Sequence, residues 1–233
     1  MTLAIIIPVK NDLRVIQRVM RISEYFNSAR GIQHFSAFEI TVVDDVLNKE
    51  VESHLKQMNI NYIWGKTSGK GDAVFRALKT IDAPHYLIID SDDSISIESI
   101  DQLCAVIKKD QGADFVYGVR IFKRVSKIRR LLGISQLLCA NILMLSSFVQ
   151  DTQCPLKYVG GSFRKYIISK PIIKGGMYDV LFFFFCDKGN FVRLACPVDW
   201  DDGVTTLKIY KIILFDFFDI LFYRVKYRMS TWF

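Results

Sequence analysis

The stretch "LAIIIPV", Leu3–Val9, is seven apolar residues in a row with no polar alternation. A strand with one wet face alternates apolar and polar residues. A continuous run must be covered on both faces, which calls for a parallel sheet with helices on each side. Similar strand signals return at "FEITVVDD" (Phe38–Asp45), "INYIW" (Ile60–Trp64) and "HYLIID" (His85–Asp90). Between them lie segments of helical spacing. Asp12–Ala29 sets Leu13, Ile16, Val19, Met20 and Tyr25 near one face, Asn48–Met58 reads as a second helix, and "GKGDAVFRALKTI" opens on glycines and becomes a third. A helix from Ser96 to Lys109 then precedes the strand-like "ADFVYGVR". This alternation predicts an α/β chain: a Rossmann-like, mostly parallel twisted sheet with helices on both faces.

The second half is less regular. Lys123–Val149 is basic, then apolar, at helical spacing. "DTQCPLKYV" reads as a loop running into a short strand, "MYDVLFFFFCDKG" as a helix ending at Gly189, and "NFVRLACPVDW" as a strand. Lys208–Tyr227 is a helical pattern dense in Phe, Ile and Leu and bordered by basic residues. No repeat, low-complexity tract or Pro/Gly/Ser linker divides the chain. The expected organisation is a domain over 1–206, with halves 1–119 and 120–206, followed by an amphipathic aromatic helix over 207–233.

Ligands of parallel sheets bind at the carboxyl ends of the strands. Polar residues collect at those ends here: "PVKND", Asp44-Asp45, "GKTSGKG", and Asp90-Ser91-Asp92-Asp93. Two unit charges about 4–6 Å apart cost roughly 3–4 kcal/mol at an effective dielectric near 20, and a divalent cation removes that cost. Asp90 and Asp92 are two residues apart, so on an extended chain they face one side. Hard carboxylate oxygens suit Mg²⁺ or Mn²⁺ bridging to substrate phosphates. The competing reading makes Asp92, Asp93 or Ser94 the N-cap of the helix near Ser96. In "SGKGDAV" the backbone N–H groups at a helix start, with Lys70, favour an anion. The same stretch also reads as a tight turn with an exposed lysine, and it is not a Walker A loop.

Charge narrows the partner class. The net charge is +7, and Arg120–Arg130 holds six basic residues and no acidic one. Such runs point to phosphates. Carboxylates at three strand ends would repel a nucleic-acid backbone, so nucleic acid is not expected. A sugar nucleotidyltransferase would need a G-G-x-G-x-R loop after the first strand, and "PVKND" lacks it. The five cysteines contain no C-x-x-C pair and the three histidines lack ligand spacing, so neither a disulfide framework nor a zinc site is supported. No uninterrupted apolar stretch reaches the roughly 20 residues of a membrane span. The strand-like opening carries no signal peptide, so a cytoplasmic protein is expected.

Together these residues resemble the family 2 glycosyltransferases with a GT-A fold, and within them the dolichyl-phosphate glucosyltransferase and polyprenyl-phosphate glycosyltransferase branch. "IIIPVKND" is similar to I-P-x-Y-N-E, "VVDD" to the family's second-strand end, "GKGDAV" to G-K-G-x-A-V, and "DSDD" stands where the family has D-A-D. The most specific likeness is "DTQCPLK" (Asp151–Lys157) to D-T-Q-C-G-F-K; "YDVLF" and "CPVDW" fall where the branch has F-D-V-E-L and V-x-V-x-W. The resemblance implies a metal-dependent transfer of sugar from a UDP- or GDP-sugar, by in-line inverting displacement, to polyprenyl phosphate or to a saccharide.

It also implies roles. Pro8, Asp12 and Asp44 would line the pocket for base and ribose, Lys70 would approach the diphosphate, and Asp90 and Asp92 would hold Mg²⁺ or Mn²⁺. Asp151, with Asp92, would serve catalysis near the sugar or acceptor. Arg120, Arg124 and Arg130 would bind the acceptor phosphate. The C-terminal helix would lie on the cytoplasmic membrane face, cover the core, or join a homo-oligomer. The chain departs from the pattern at Lys10 (family Tyr), "VLNKE" after the second strand, Pro155 and Leu156 (Gly, Phe), Leu181 (Glu), and Lys208, one position late. These departures leave open a catalytically degenerate partner subunit.

Overall fold

The structure is a computed structural model that describes residues 2–65, 69–122, 127–170, 178–200, 218 and 221–226, with backbone alone for 122 and 127–132. Seven strands form one sheet: β1 (Thr2–Val9), β2 (Ala37–Asp44), β3 (Asn61–Trp64), β4 (His85–Ile88), β5 (Phe115–Phe122), β6 (Lys157–Gly160) and β7 (Arg193–Trp200). Their order is β3-β2-β1-β4-β6-β5-β7. β1 runs parallel to β2 and β4, β2 to β3, and β5 to β7. β6 alone is reversed, antiparallel to β4 and β5. The helices are α1 (Arg14–Asn27), α2 (Ala29–Ile32), α3 (Lys49–Gln57), α4 (Lys70–Thr80), α5 (Ile97–Lys109), α6 (Lys127–Met144), α7 (Gly161–Ile168) and α8 (Tyr178–Lys188).

The opening apolar run does what its composition requires. Leu3, Ile5, Ile7 and Val9 point into a core shared with Val15, Val19 and Ile22 of α1 and Ile100 and Leu103 of α5. Ala4 and Ile6 point the other way, into a core shared with Val74, Phe75 and Leu78 of α4, Phe163 of α7, and Phe182 and Phe183 of α8. Both faces of β1 are dry, and each fully buried Leu or Ile there stabilises the fold by about 1.5–3 kcal/mol.

Local signals set the helix starts. The Asn48 side chain accepts from the N–H groups of Glu50 and Val51, both at 3.1 Å, and caps α3. Ser96 Oγ accepts from Ser99 N at 3.2 Å and caps α5. Gly69 precedes α4 with φ 104°, a conformation that L side chains rarely adopt. Two helices, α2 and α7, were not anticipated. α7 follows β6 without a loop, its first residue Gly161 tied to Pro84 O at 2.9 Å.

Among the described residues no helix is long and apolar enough to cross a membrane. The C-terminal helix expected over 207–233 lies outside the described residues, except for 218 and 221–226. These are helical; Phe218, Phe222 and Val225 are exposed, while Tyr223 packs at the edge of the second core.

Candidate active site

From β1 the chain adds β2 and β3 on one side and then crosses back to place β4 on the other. The switch-point rule places the ligand crevice of such a sheet beyond the carboxyl ends of β1 and β4. β6 runs the opposite way, so its first residue, Lys157, is at this same edge, paired in register with Ile88 of β4.

The acidic cluster enters the crevice from β4, with a difference from the expected geometry. β4 ends at Ile88, and residues 91–94 are a bend, so a turn rather than the strand pleat orients Asp90 and Asp92. The three carboxylates separate by duty. Asp93 leaves the crevice and pairs with Arg21 at 2.6 Å and with the buried Arg18 at 3.3 Å. The exposed Asp92 accepts from the backbone N and Oγ of Ser94, at 3.1 and 2.5 Å. Asp90 forms an ion pair with Lys70 from the first turn of α4. The helix-cap reading fails at Asp92, Asp93 and Ser94, because Ser96 holds that post. Burial alone would lower the Lys70 pKa, but Asp90, Asp179 and Asp92 outweigh it and hold the ammonium above its ordinary value.

On the β1–β2 side the sequence residues are mostly supports. Pro8 is buried in β1, opposite Val43 of β2. Asp44 has no exposed surface. Its carboxylate accepts from Asn11 N at 2.9 Å and from the Tyr62 hydroxyl at 3.2 Å, and Asn11 there has φ 48°. Asp44, expected to line the base and ribose pocket, thus ties the turn after β1 to β3. The partly open carboxylate at this corner is Asp45, beside the exposed Val46, Leu47 and Trp64. Burial raises the Asp45 pKa, against the pull of Lys10. Asp12 caps the turn into α1, accepting from Arg14 N at 3.0 Å, and pairs with the Arg14 guanidinium at 2.6 Å. The bond to Arg14 lowers its pKa.

On the β5 side, two residues given separate tasks turn out to be partners. Arg120 donates to Asp151 from Nε at 2.7 Å, from Nη2 at 2.9 Å and from its backbone N at 3.1 Å. Gln153 N adds a fourth bond at 2.9 Å. The guanidinium also lies over the Trp200 ring, 5.1 Å from its centroid. Burial pushes the Asp151 carboxyl up, but Arg120 outweighs it and the pKa lies below the ordinary value. Asp151, expected near the sugar or acceptor, and Arg120, expected to bind the acceptor phosphate, are thus bound to each other. Arg124 and the side chain of Arg130 lie outside the described residues.

Three polar groups here lie outside the set of site residues expected from the sequence, although they stand in motifs that carry the family resemblance. Lys157 and Asp179 form a buried ion pair at 2.6 Å. The amide nitrogen of Gln153 is buried without a hydrogen-bond partner among the described residues. The signal was a charged residue inside each motif, "DTQCPLK" and "YDVLF". Leu181, where the resembled branch has Glu, is buried among the phenylalanines of the second core.

Among the described residues no cluster of three or more His, Cys, Asp or Glu is placed to hold a metal ion. Asp90 and Asp92 offer two hard carboxylates beside one lysine. That donor set fits Mg²⁺ or Mn²⁺, which proteins hold through one or two carboxylates while substrate phosphates and water complete the shell.

Comparison with known proteins agrees with this architecture. The chain is similar to glucosyl-3-phosphoglycerate synthase from Mycobacterium tuberculosis in complex with uridine diphosphate, at TM-score 0.69 and 12% identity over 94% of this chain and 79% of that one. It is similar to the same protein with Mn²⁺, uridine diphosphate and phosphoglyceric acid, at 0.69 and 16% over 96% and 78%. Mannosyl-3-phosphoglycerate synthase from Rubrobacter xylanophilus superposes at 0.64, with 15% identity over 98% and 75%. At these identities the likeness establishes the fold. No curated protein sequence gives a significant match. The model of the family described as Glycosyl transferase family 2 matches residues 4–161. That span takes in β1 to β6 and, with them, Asp44, Lys70, Asp90, Asp92 and Asp151; the chain belongs to glycosyl transferase family 2.

Proposed function

We propose that this chain transfers a sugar from a nucleoside diphosphate donor to an acceptor whose nucleophile is a phosphate oxygen, most simply a polyprenyl phosphate. The donor diphosphate lies over the crevice between β1 and β4, against Lys70 and the first turn of α4. Asp45, Val46, Leu47 and Trp64 form the rim that receives the base. Asp90 and Asp92 would hold Mg²⁺ or Mn²⁺, which when bound would neutralise charge growing on the leaving diphosphate. Solved structures of the same fold carry Mn²⁺ with uridine diphosphate, which supports both the metal and the donor class. Lys70 supplies a fixed positive charge to the same oxygens. In-line attack then inverts the anomeric carbon.

The observation that carries the acceptor class is the state of Asp151. A hydroxyl acceptor needs a base poised near the working pH. Asp151 is committed to Arg120 and Gln153 and its pKa is lowered. A phosphate acceptor is already ionised and needs no base. Arg120, fixed by Asp151 and Trp200, then offers an oriented charge near the acceptor. Support for a lipid comes from α6, where Ile134, Leu138 and Ile142 recur every four residues and are all exposed. That spacing forms one apolar stripe, after a basic helix start. This reading places the chain peripherally on a membrane surface. A small phosphorylated acceptor is the second reading, favoured by the phosphoglyceric acid in a solved structure of the same fold.

The test is transfer from UDP- and GDP-sugars, with Mn²⁺, to a short-chain polyprenyl phosphate, to phosphoglyceric acid and to a free saccharide. Transfer to polyprenyl phosphate is expected. Transfer to the saccharide alone would overturn the phosphate-oxygen reading. Metal-dependent donor binding with neither transfer nor donor hydrolysis would instead mark a partner subunit.

A further inference from the structure

The Lys157–Asp179 pair is an expensive feature to keep in this position. Lys157 has 0% exposure and Asp179 has 5%. Around them the second core is aromatic and aliphatic, with Tyr178, Phe182 and Phe183 from the same helix as Asp179. Apolar residues of similar volume often stabilise such a site as well as a buried ion pair does. Stability alone therefore gives a weak reason for two buried charges.

Their contacts give a better one. Lys157 Nζ is 2.6 Å from Asp179 Oδ1, and the same ammonium donates to the carbonyl of Cys154. Cys154 closes the loop that carries Asp151 and Gln153, so one buried cation ties α8 to the acceptor side. Lys157 also starts β6, in register between Ile88 of β4 and Tyr117 of β5. It thus stands at the root of the turn bearing Asp90 and of the strand bearing Arg120. One fixed pair lies against both halves of the site.

We propose that Lys157 and Asp179 are the positioning pair of this active site: they fix the 151–154 loop on the acceptor side and the root of the turn that carries Asp90 on the diphosphate side. Neither has the surface to touch substrate. The proposal rests on the glycosyltransferase reading for what is positioned, but the positioning itself can be read without ligand.

The experiment uses the full chain with Lys157→Met and Asp179→Leu, singly and together. Each single variant leaves the partner's charge buried and unpaired and should melt well below wild type. The double variant leaves the net charge unchanged, so its effect on an anionic ligand is positional. Its melting temperature should return towards wild type. Amide exchange across residues 151–156 should stay about tenfold faster than in wild type. Affinity for UDP or GDP in Mn²⁺ should stay about tenfold weaker.

A double variant with wild-type melting, exchange and nucleotide affinity would show a merely structural pair and overturn the proposal. Should it fail to fold, Asp179→Glu keeps the charge but moves it by one methylene. Faster exchange at 151–156 in that variant is then expected, and unchanged exchange and affinity overturn the idea. A wild-type protein that binds neither nucleotide refutes the donor reading, while the exchange result still decides the positioning role.

Discussion

Lys70→Gln is the substitution with the most informative signs. In the ligand-free protein the Lys70 ammonium is the counter-ion of Asp90, on side chains 32% and 27% exposed. Two such charges at about 4 Å attract by about 4 kcal/mol at an effective dielectric near 20, before desolvation is deducted. A divalent cation approaching Asp90 and Asp92 must displace that ammonium or bind beside it. Removing the charge should therefore tighten Mn²⁺ binding in the absence of nucleotide. A net gain of about 1.4 kcal/mol corresponds to tenfold in affinity.

The same substitution should weaken the nucleoside diphosphate. Charge-assisted hydrogen bonds are worth about 1.5–3 kcal/mol each, roughly 10- to 150-fold. Metal alone improves while nucleotide worsens. Titration of free Mn²⁺ by electron paramagnetic resonance, with and without UDP or GDP, reads both quantities on one sample. If Lys70→Gln binds Mn²⁺ alone no better than wild type, Lys70 does not compete for Asp90 and the reasoning fails.

Other outcomes follow from the same contacts. Asp44→Ala takes the acceptor from the Asn11 N–H, while the Tyr62 hydroxyl keeps Val46 O; it should cost about 1–3 kcal/mol in all, read by chemical denaturation. The Asp151 pKa is lower folded than unfolded, so its contribution to stability is present above the unfolded value of about 3.9 and is lost as pH falls through the folded one. Asp151→Asn should thus be less stable than wild type at neutral pH, and the gap should narrow in acid-melting series below about pH 4. Replacing Ile134, Leu138 and Ile142 together with Ser should abolish sedimentation with anionic vesicles and leave Mn²⁺-dependent nucleotide binding unchanged; retained vesicle binding would remove the stripe from the lipid reading.

The strands were legible because a continuous apolar run admits few placements. β1, β2 and β4 fall within a few residues of their predicted bounds, and Leu3 to Val9 divide between two cores as a doubly covered strand must. α3 and α5 were legible for a second reason: Asn48 and Ser96 act within three residues of themselves. α7 was not, because "GGSFRKYII" opens on two glycines and its apolar positions, Phe163, Tyr166 and Ile167, span little more than one turn. Its helix is held by tertiary contacts such as Arg164 Nε on Leu78 O, at 2.7 Å.

The candidate site follows the same division. The carboxylates of "DSDD" and the lysine of "GKGDAV" announce themselves locally, and their pairing follows from strand order. What each carboxylate does is decided by residues far along the chain. Asp93 is claimed by Arg18, 75 positions away, and Asp151 by Arg120, 31 away. Lys157 and Asp179 looked like ordinary charged positions until the reversed strand β6 set one over the other. A sequence motif states which groups are available; burial decides which of them remain free to meet a ligand.

Asp90 and Asp92 are proposed to grip a nucleoside diphosphate through a divalent cation. Melting shifts with UDP and GDP, with and without Mn²⁺, test it in wild type and in Asp90→Asn and Asp92→Asn. At about 100 times Kd a bound nucleotide adds roughly 2.7 kcal/mol. That rise is expected for one nucleotide in wild type only with Mn²⁺, and is lost in both variants. An equal shift without metal, or one that survives both substitutions, would contradict it.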